Sequence, residues 1–476
     1  MSRPAPLLVI LWFDTEDYVL HESDGMARRL ADMCTELGIT ACFKLVGEKL
    51  RHLQRTGRDD VLEALAKHEI GYHTDFHSRP PAHAVQLQHS GWEDGIAEFT
   101  RREQGGLRDV ADAFGRGIAT YGQPGSSWAP QAFAALRELG VPTYLDESNH
   151  LTLNQEPFFY CGQFTVNGMQ ENFTFMHLEG GDRLQEATDE FSSIAERLTA
   201  AGGGVISIPY HPCEWVQTEF WDGTNYTHGV TVHPDELRAA PARPVEETEL
   251  QLANFRKYLE FMLAVPGVRF VTMGDLAEIY RDTLAGRSFT PAEVREIAGS
   301  ATADVDAVAF DGGRLSPAEQ LNLLVQLASG AAECSAPHID GPSRRRQPSS
   351  GMADPTEVPG WLFAEAVADV ADFIAHHAQV PSEVWLGSVS ITPEDFLATL
   401  AGLLAGGAGA GAWPETVTLV RARLASADAV GENDGRVWDW PIFPEGFRSA
   451  QILDQAKLQT WTLKPAVLDA VTAAGN

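Results

Sequence analysis

Residues 6–17 read PLLVILWFDTED, and the fold turns on whether this apolar run is a membrane span, a leader peptide or a β-strand. A span needs roughly 20 apolar residues, and this run is stopped early by Asp14, Glu16 and Asp17. A leader needs a cleavage site of small residues, whereas here the chain runs straight into three carboxylates. The reading left is a first β-strand, LLVILWF at 7–13, that delivers acids at its carboxyl end.

Working outward, the pattern repeats as far as about residue 285. Further strand candidates are TACFKLVG (40–47), EIGYHT (69–74), IATYG (118–122), VPTYLD (141–146), GVISIPYH (204–211) and VRFVTM (268–273). Amphipathic stretches lie between them, among them GMARRLADMCTELG and PQAFAALRELG, each closed by a glycine suited to a helix C-cap. Strand and helix in alternation predict an α/β fold with a parallel sheet, most economically a distorted (β/α) barrel over 1–286. Chemistry in such a fold sits at the carboxyl ends of the strands, which directs attention to Asp14, His73, Gly122, Asp146 and His211.

Beyond residue 286 the texture changes, and 287–476 is expected to form a smaller, mainly helical accessory domain. VAFDGGRLSPAEQLNLLVQLA (308–328) and VWLGSVSITPEDFLATLAGLL (384–404) align without gaps, which reads as a duplicated hairpin and helix. Proline, serine and glycine between the copies predict a flexible linker at about 332–358, and AGGAGAGAWPE (405–415) a second break.

With 35 basic and 66 acidic residues the net charge is −31, which repels phosphate backbones and anionic membranes and excludes both as partners. Five scattered cysteines without a C-x-x-C suit reduced thiols and a cytoplasmic address.

The chemistry gathers at EIGYHTDFH (69–77), where His73 and His77 stand four apart. On a helix that spacing puts both rings on one face, where neutral nitrogens can close on one metal ion. FDTED (13–17) supplies carboxylates for a third ligand. One acid and two imidazoles leave coordination positions for water and substrate, as a catalytic zinc requires, and a second acid can accept a proton.

These residues resemble the polysaccharide deacetylases of carbohydrate esterase family four. FDTED is similar to the first family motif, EIGYHTDFH with Thr74 to the second, YGQPG (121–125) to the third and VISIPYHPCEW to the last, in order over roughly residues 5–285. The resemblance implies a divalent metal, expected to be zinc, held by His73, His77 and an acid; Asp17 is preferred for its short side chain, and Glu16 stays open. It implies Asp14 as general base, His211 as general acid and the Gly125 position as an oxyanion-stabilising amide, with Asp146 and Glu147 as partners behind His211. Two positions depart from the family: Gly122 stands where an arginine supports the catalytic carboxylate, and Gly125 where a tyrosine is usual. Arg79 is one replacement for the lost cation.

Substrate contacts are expected from CEWVQTEFWDGTNYTHG (213–229), whose Trp215, Phe220, Trp221 and Tyr226 offer flat faces for sugar rings; the same loop also reads as a buried lid. The C-terminal copies resemble pseudomurein-binding repeats, and packing or homo-oligomerisation is an equal reading. The implied activity is metal-dependent removal of an N-acetyl group from an amino sugar. Allantoinase-like opening of a cyclic amide and a catalytically decayed glycan-binding protein are the alternatives.

Overall fold

Leu7–Thr15 (β1) is buried at every residue, as a strand covered on both faces requires. The computed structural model to which it belongs describes residues 5–347, 356–409, 412–469 and 473. β1 pairs in parallel with Cys42–Leu45 (β2) over its carboxyl half and with Gly204–Tyr210 (β8) along most of its length. The sheet continues from β2 through Glu69–Tyr72 (β3), Thr120–Tyr121 (β4) and Thr143–Asp146 (β5), all parallel, to Gln163–Asn167 (β7). Phe158–Tyr160 (β6) then joins β7 antiparallel, and Val268–Val271 (β9) runs parallel beside the start of β1. Helices His21–Glu36, Trp92–Phe114, Leu184–Ala201 and Val245–Ala264 lie between the strands. The α/β class and the parallel sheet expected of a distorted barrel are present.

Alternation along β1 divides two cores. Leu7, Val9, Leu11 and Phe13 pack with the helices through Met26, Leu30, Phe255 and Leu259. Leu8, Ile10 and Trp12 point the other way, into a core with Cys42, Leu145, Val166 and Val205. Because side chains alternate with period two, Asp14 and Glu16 continue the face of Trp12, while Asp17 has the parity of the helix-facing set.

A second core runs from Leu284 to Leu419 and includes Trp461. Each of the two aligned stretches folds as a two-stranded hairpin followed by a helix: Val308–Phe310 and Gly313–Leu315 with Pro317–Ala328, then Val384–Leu386 and Val389–Ile391 with Pro393–Ala405. The expectation that everything after 286 forms one separate unit is corrected. Val430, Trp438, Phe443, Phe447, Ile452 and Leu463 return to the first core, and Lys464–Pro465 pairs with β6. Lys464 fastens the two units together, its ammonium 2.6 Å from Asp282 and 2.7 Å from Glu319.

The linker expectation at 332–358 is corrected over its first part. Cys334–Ser335 pairs with Ser288–Phe289, Ile339 is buried, and Asp340 accepts from Arg137 at 2.9 Å. Proline and glycine here mark turns between packed residues. Residues 348–355 of that expected linker, and 410–411 of the expected break at 405–415, lie outside the described residues.

Candidate active site

At the carboxyl end of β1, Glu16 Oε2 lies 2.8 Å from His77 Nε2 and 3.4 Å from His73 Nε2. All three side chains are buried. His73 Nδ1 is 2.9 Å from the Gly122 carbonyl, an acceptor that fixes the proton on Nδ1 and turns the Nε2 lone pair toward Glu16. Trp221 donates its indole N–H to the other Glu16 oxygen at 2.9 Å. The expected helical face is corrected: His73 to His77 is a loop in which Thr74 and His77 have φ of 66° and 54°. A β-branched residue there is strained. The loop is held by the Thr74 hydroxyl, which accepts from the His77 amide at 3.0 Å, and by buried Glu103, which accepts from the Asp75 amide at 2.7 Å and the Tyr72 hydroxyl at 2.8 Å.

Asp17 does not join this group, which corrects its assignment as metal carboxylate. One of its oxygens caps the amides of Val19 at 2.8 Å and Leu20 at 3.2 Å, and the other accepts from Gln217 at 2.5 Å. Strand parity is the reason. Glu16 shares the face of Asp14, and Asp17 does not.

Asp14 stands between two cations. Its Oδ1 is 3.0 Å from the ammonium of Lys44 and 3.7 Å from His73 Nδ1, and its Oδ2 is 3.7 Å from His211 Nε2. Lys44 also lies 3.3 Å from Asp146 and donates to the Leu145 carbonyl at 2.9 Å. The partner behind His211 is Glu214, 3.0 Å from Nδ1, in place of the Asp146 and Glu147 expected from sequence. Asp146 pairs with Lys44 instead, and Glu147 accepts from the Met169 amide at 3.1 Å.

These neighbours set the charge states. Burial drives the Glu16 carboxyl upward, but the His77 and His73 rings outweigh it and hold it well below the usual range. Burial pushes His73 down, whereas at His77 the Glu16 charge overcomes burial and raises the ring. Burial opposes protonation of His211 too, yet the carboxylates of Glu214, Glu16 and Asp14 lift it to about 10. Asp146, pushed up by burial against the pull of Lys44 and with the push of Asp14, reaches about 7, and Glu147 about 8.

The cavity above these groups has a volume of about 700 Å³ and is walled by Trp12, Phe173, Phe220, Asp222, Asp439 and Trp440. Of the aromatic residues expected to meet substrate, Trp215 is fully buried against Tyr210 and Phe255, Tyr226 is buried beside Tyr18, and Trp221 is spent on Glu16 and the His77 ring. Phe220 is 39% exposed and stands edge-on to His211. Trp440 lies edge-on to His77 and bonds Asp222 at 3.2 Å, while its neighbour Asp439 accepts from the Ser126 hydroxyl at 2.6 Å. Gly125, at φ 47°, is covered so closely by Trp440 that a Cβ would come within 2.6 Å of the indole, which is why no tyrosine stands there.

Sequence reasoning missed Lys44, Glu214 and Trp440. A lysine inside the apolar run TACFKLVG was a usable signal for the first, because a fully buried ammonium needs a charged partner. Nothing in the sequence placed residue 440 at a mouth built from the first 225 residues.

Solved structures similar to this chain include polysaccharide deacetylases. A Mycobacterium smegmatis protein described as one aligns over 58% of this chain and 93% of its own, with 13% identity and a TM-score of 0.39. The family 4 carbohydrate esterase from Streptomyces lividans aligns over 57% and 94%, with 12% identity and a TM-score of 0.30. The 4-alpha-glucanotransferase from Thermococcus litoralis aligns over 58% of this chain and 40% of its own, with 12% identity and a TM-score of 0.39. No protein-family model and no curated protein matches the sequence.

Proposed function

We propose that this chain is a metal-dependent amide hydrolase that removes the acetyl group from an N-acetylated amino sugar. One observation carries the reading: a buried carboxylate and two imidazole nitrogens within 3.4 Å of it share one cavity with Asp14 and with His211, which is raised to about 10.

The donor set fits a divalent cation. Glu16, His73 and His77 offer one ligand atom each within 4.8 Å of one another, and one carboxylate with two imidazoles suits zinc. When bound, such an ion supplies Lewis acidity toward the acyl oxygen and makes water more acidic. Gly122 fixes the tautomer of His73, and Trp221 fixes the orientation of Glu16. Asp14, facing the cavity on the same strand edge, accepts the proton of the attacking water. His211, kept cationic by Glu214, delivers a proton to the leaving nitrogen, so that a neutral amine departs. The backbone at Gly125 lines the same space and is assigned as the amide that stabilises the acyl oxygen. Trp440, Phe220 and Trp12 provide apolar faces for a sugar ring.

No helix among the described residues is long and apolar enough to cross a membrane. Five free, buried cysteines support the cytoplasmic assignment.

Acetate release from N-acetylated amino-sugar monomers and oligomers, measured before chelation, after it and after zinc is restored, tests the reading. Loss on chelation and recovery with zinc are expected. Full activity in metal-free protein would overturn the metal-dependent mechanism; opening of hydantoin-like rings without acetate release would establish the cyclic-amide alternative; glycan binding without turnover would establish the decayed one.

A further inference from the structure

We propose that Lys44 is the positioning residue for Asp14, taking over the role of the arginine whose position is held by Gly122; the proposal rests on the assignment of Asp14 as general base. Lys44 is fully buried, and an ammonium persists in such a place only when its charge and its donors are matched. Its ammonium donates to the Leu145 carbonyl at 2.9 Å and to Asp146 Oδ2 at 3.3 Å, and its charge is met by Asp14, whose Oδ1 lies 3.0 Å away in an ion pair. The face of Trp12 covers it at 4.0 Å. Asp14 and Lys44 are register partners on β1 and β2, so their side chains leave the sheet side by side.

The lysine then crosses the next two strands to reach Asp146 on β5, and glycine stands at both crossings. A Cβ on Gly71 in β3 would come within 2.7 Å of Lys44 Cγ. A Cβ on Gly122, just past β4, would strike the ammonium itself and come within 2.5 Å of Asp146 Oδ2 and 2.6 Å of the Leu145 carbonyl. A side chain at 122 and this lysine are mutually exclusive. Gly122 leaves room for the Lys44 ammonium and for the Leu145 carbonyl and Asp146 that receive it, and the cation approaches Asp14 from β2 instead of from the end of β4. The other candidate from sequence, Arg79, lies on the ring of Phe76 and makes no ion pair with Asp14 among the described contacts.

Two variants of the full chain test this: Lys44→Met and Lys44→Ala. Lys44→Met is expected to lower kcat about 100-fold with KM within about threefold and zinc content unchanged. Added ethylammonium is expected to restore kcat of Lys44→Ala at least about tenfold, which a purely structural lysine would not permit. A Lys44→Met enzyme within about threefold of wild-type kcat, or a Lys44→Ala enzyme that ethylammonium does not rescue, overturns the proposal. A wild-type protein that releases no acetate would instead overturn the functional reading. The pairing is then decided by urea unfolding: the midpoint shift caused by Lys44→Met is expected to be smaller in an Asp14→Asn background, and strictly additive shifts overturn it.

Discussion

Trp221 donates its indole N–H to Glu16 at 2.9 Å while its ring faces His77 with centroids 5.5 Å apart, so one side chain orients two of the three proposed ligands. Trp221→Phe keeps most of the ring and deletes the donor. Outer hydrogen bonds of this kind are worth about 10- to 100-fold in metal affinity, and a loss of that size is expected in competition with a fluorescent chelator. Unchanged affinity would show that Glu16 does not need the indole.

Strand parity separates Glu16 from Asp17, and substitution separates them experimentally. Glu16→Gln is expected to abolish stoichiometric zinc binding, measured by elemental analysis of dialysed protein. Asp17→Asn is expected to retain zinc and to cost about 1 kcal/mol in urea unfolding, because the turn amides, Gln217 and the neighbouring Lys49 ammonium lose a charged partner. Zinc lost from Asp17→Asn would reverse the assignment.

His211 owes its protonation first to Glu214, which must overcome burial. Removing that carboxylate removes stabilisation of the imidazolium, so its pKa falls. The proton needed by the leaving nitrogen is then lost at lower pH, and Glu214→Gln is expected to move the alkaline limb of the kcat profile downward by at least about one unit. A limb that stays in place would assign it to another group.

Trp440 walls the cavity and touches no group assigned to proton transfer. Trp440→Ala is expected to raise KM for an amino-sugar substrate about tenfold and to leave kcat within about threefold, in steady-state assays. An unchanged KM would place the substrate elsewhere in the cavity.

The sheet was legible because β1, β3 and β8 carry apolar runs that end in polar residues, so their carboxyl ends announced Asp14, His73 and His211. Glu16 over Asp17 was also legible, since counting by twos from Trp12 selects it. Lys44 was overlooked because a lone lysine in a strand looks like a surface position until its neighbours are known. Trp215 and Tyr226 are not legible as packing residues because an aromatic loop after the proposed proton donor His211 serves packing as readily as binding; only burial against Phe255 and Tyr18 separates the two. The return of residues 430–465 was illegible, because composition after 286 carries no sign of which core a helix will join.

That return makes the mouth a clasp between distant parts of one chain. Asp439 and Trp440 close over Ser126 and Gly125 only after the intervening unit has been made and folded back. A polypeptide interrupted before residue 439 carries Glu16, His73 and His77 in its sequence yet lacks the residues that wall the space above them, so possession of the ligands and possession of a shaped chamber are separate events in the life of this protein.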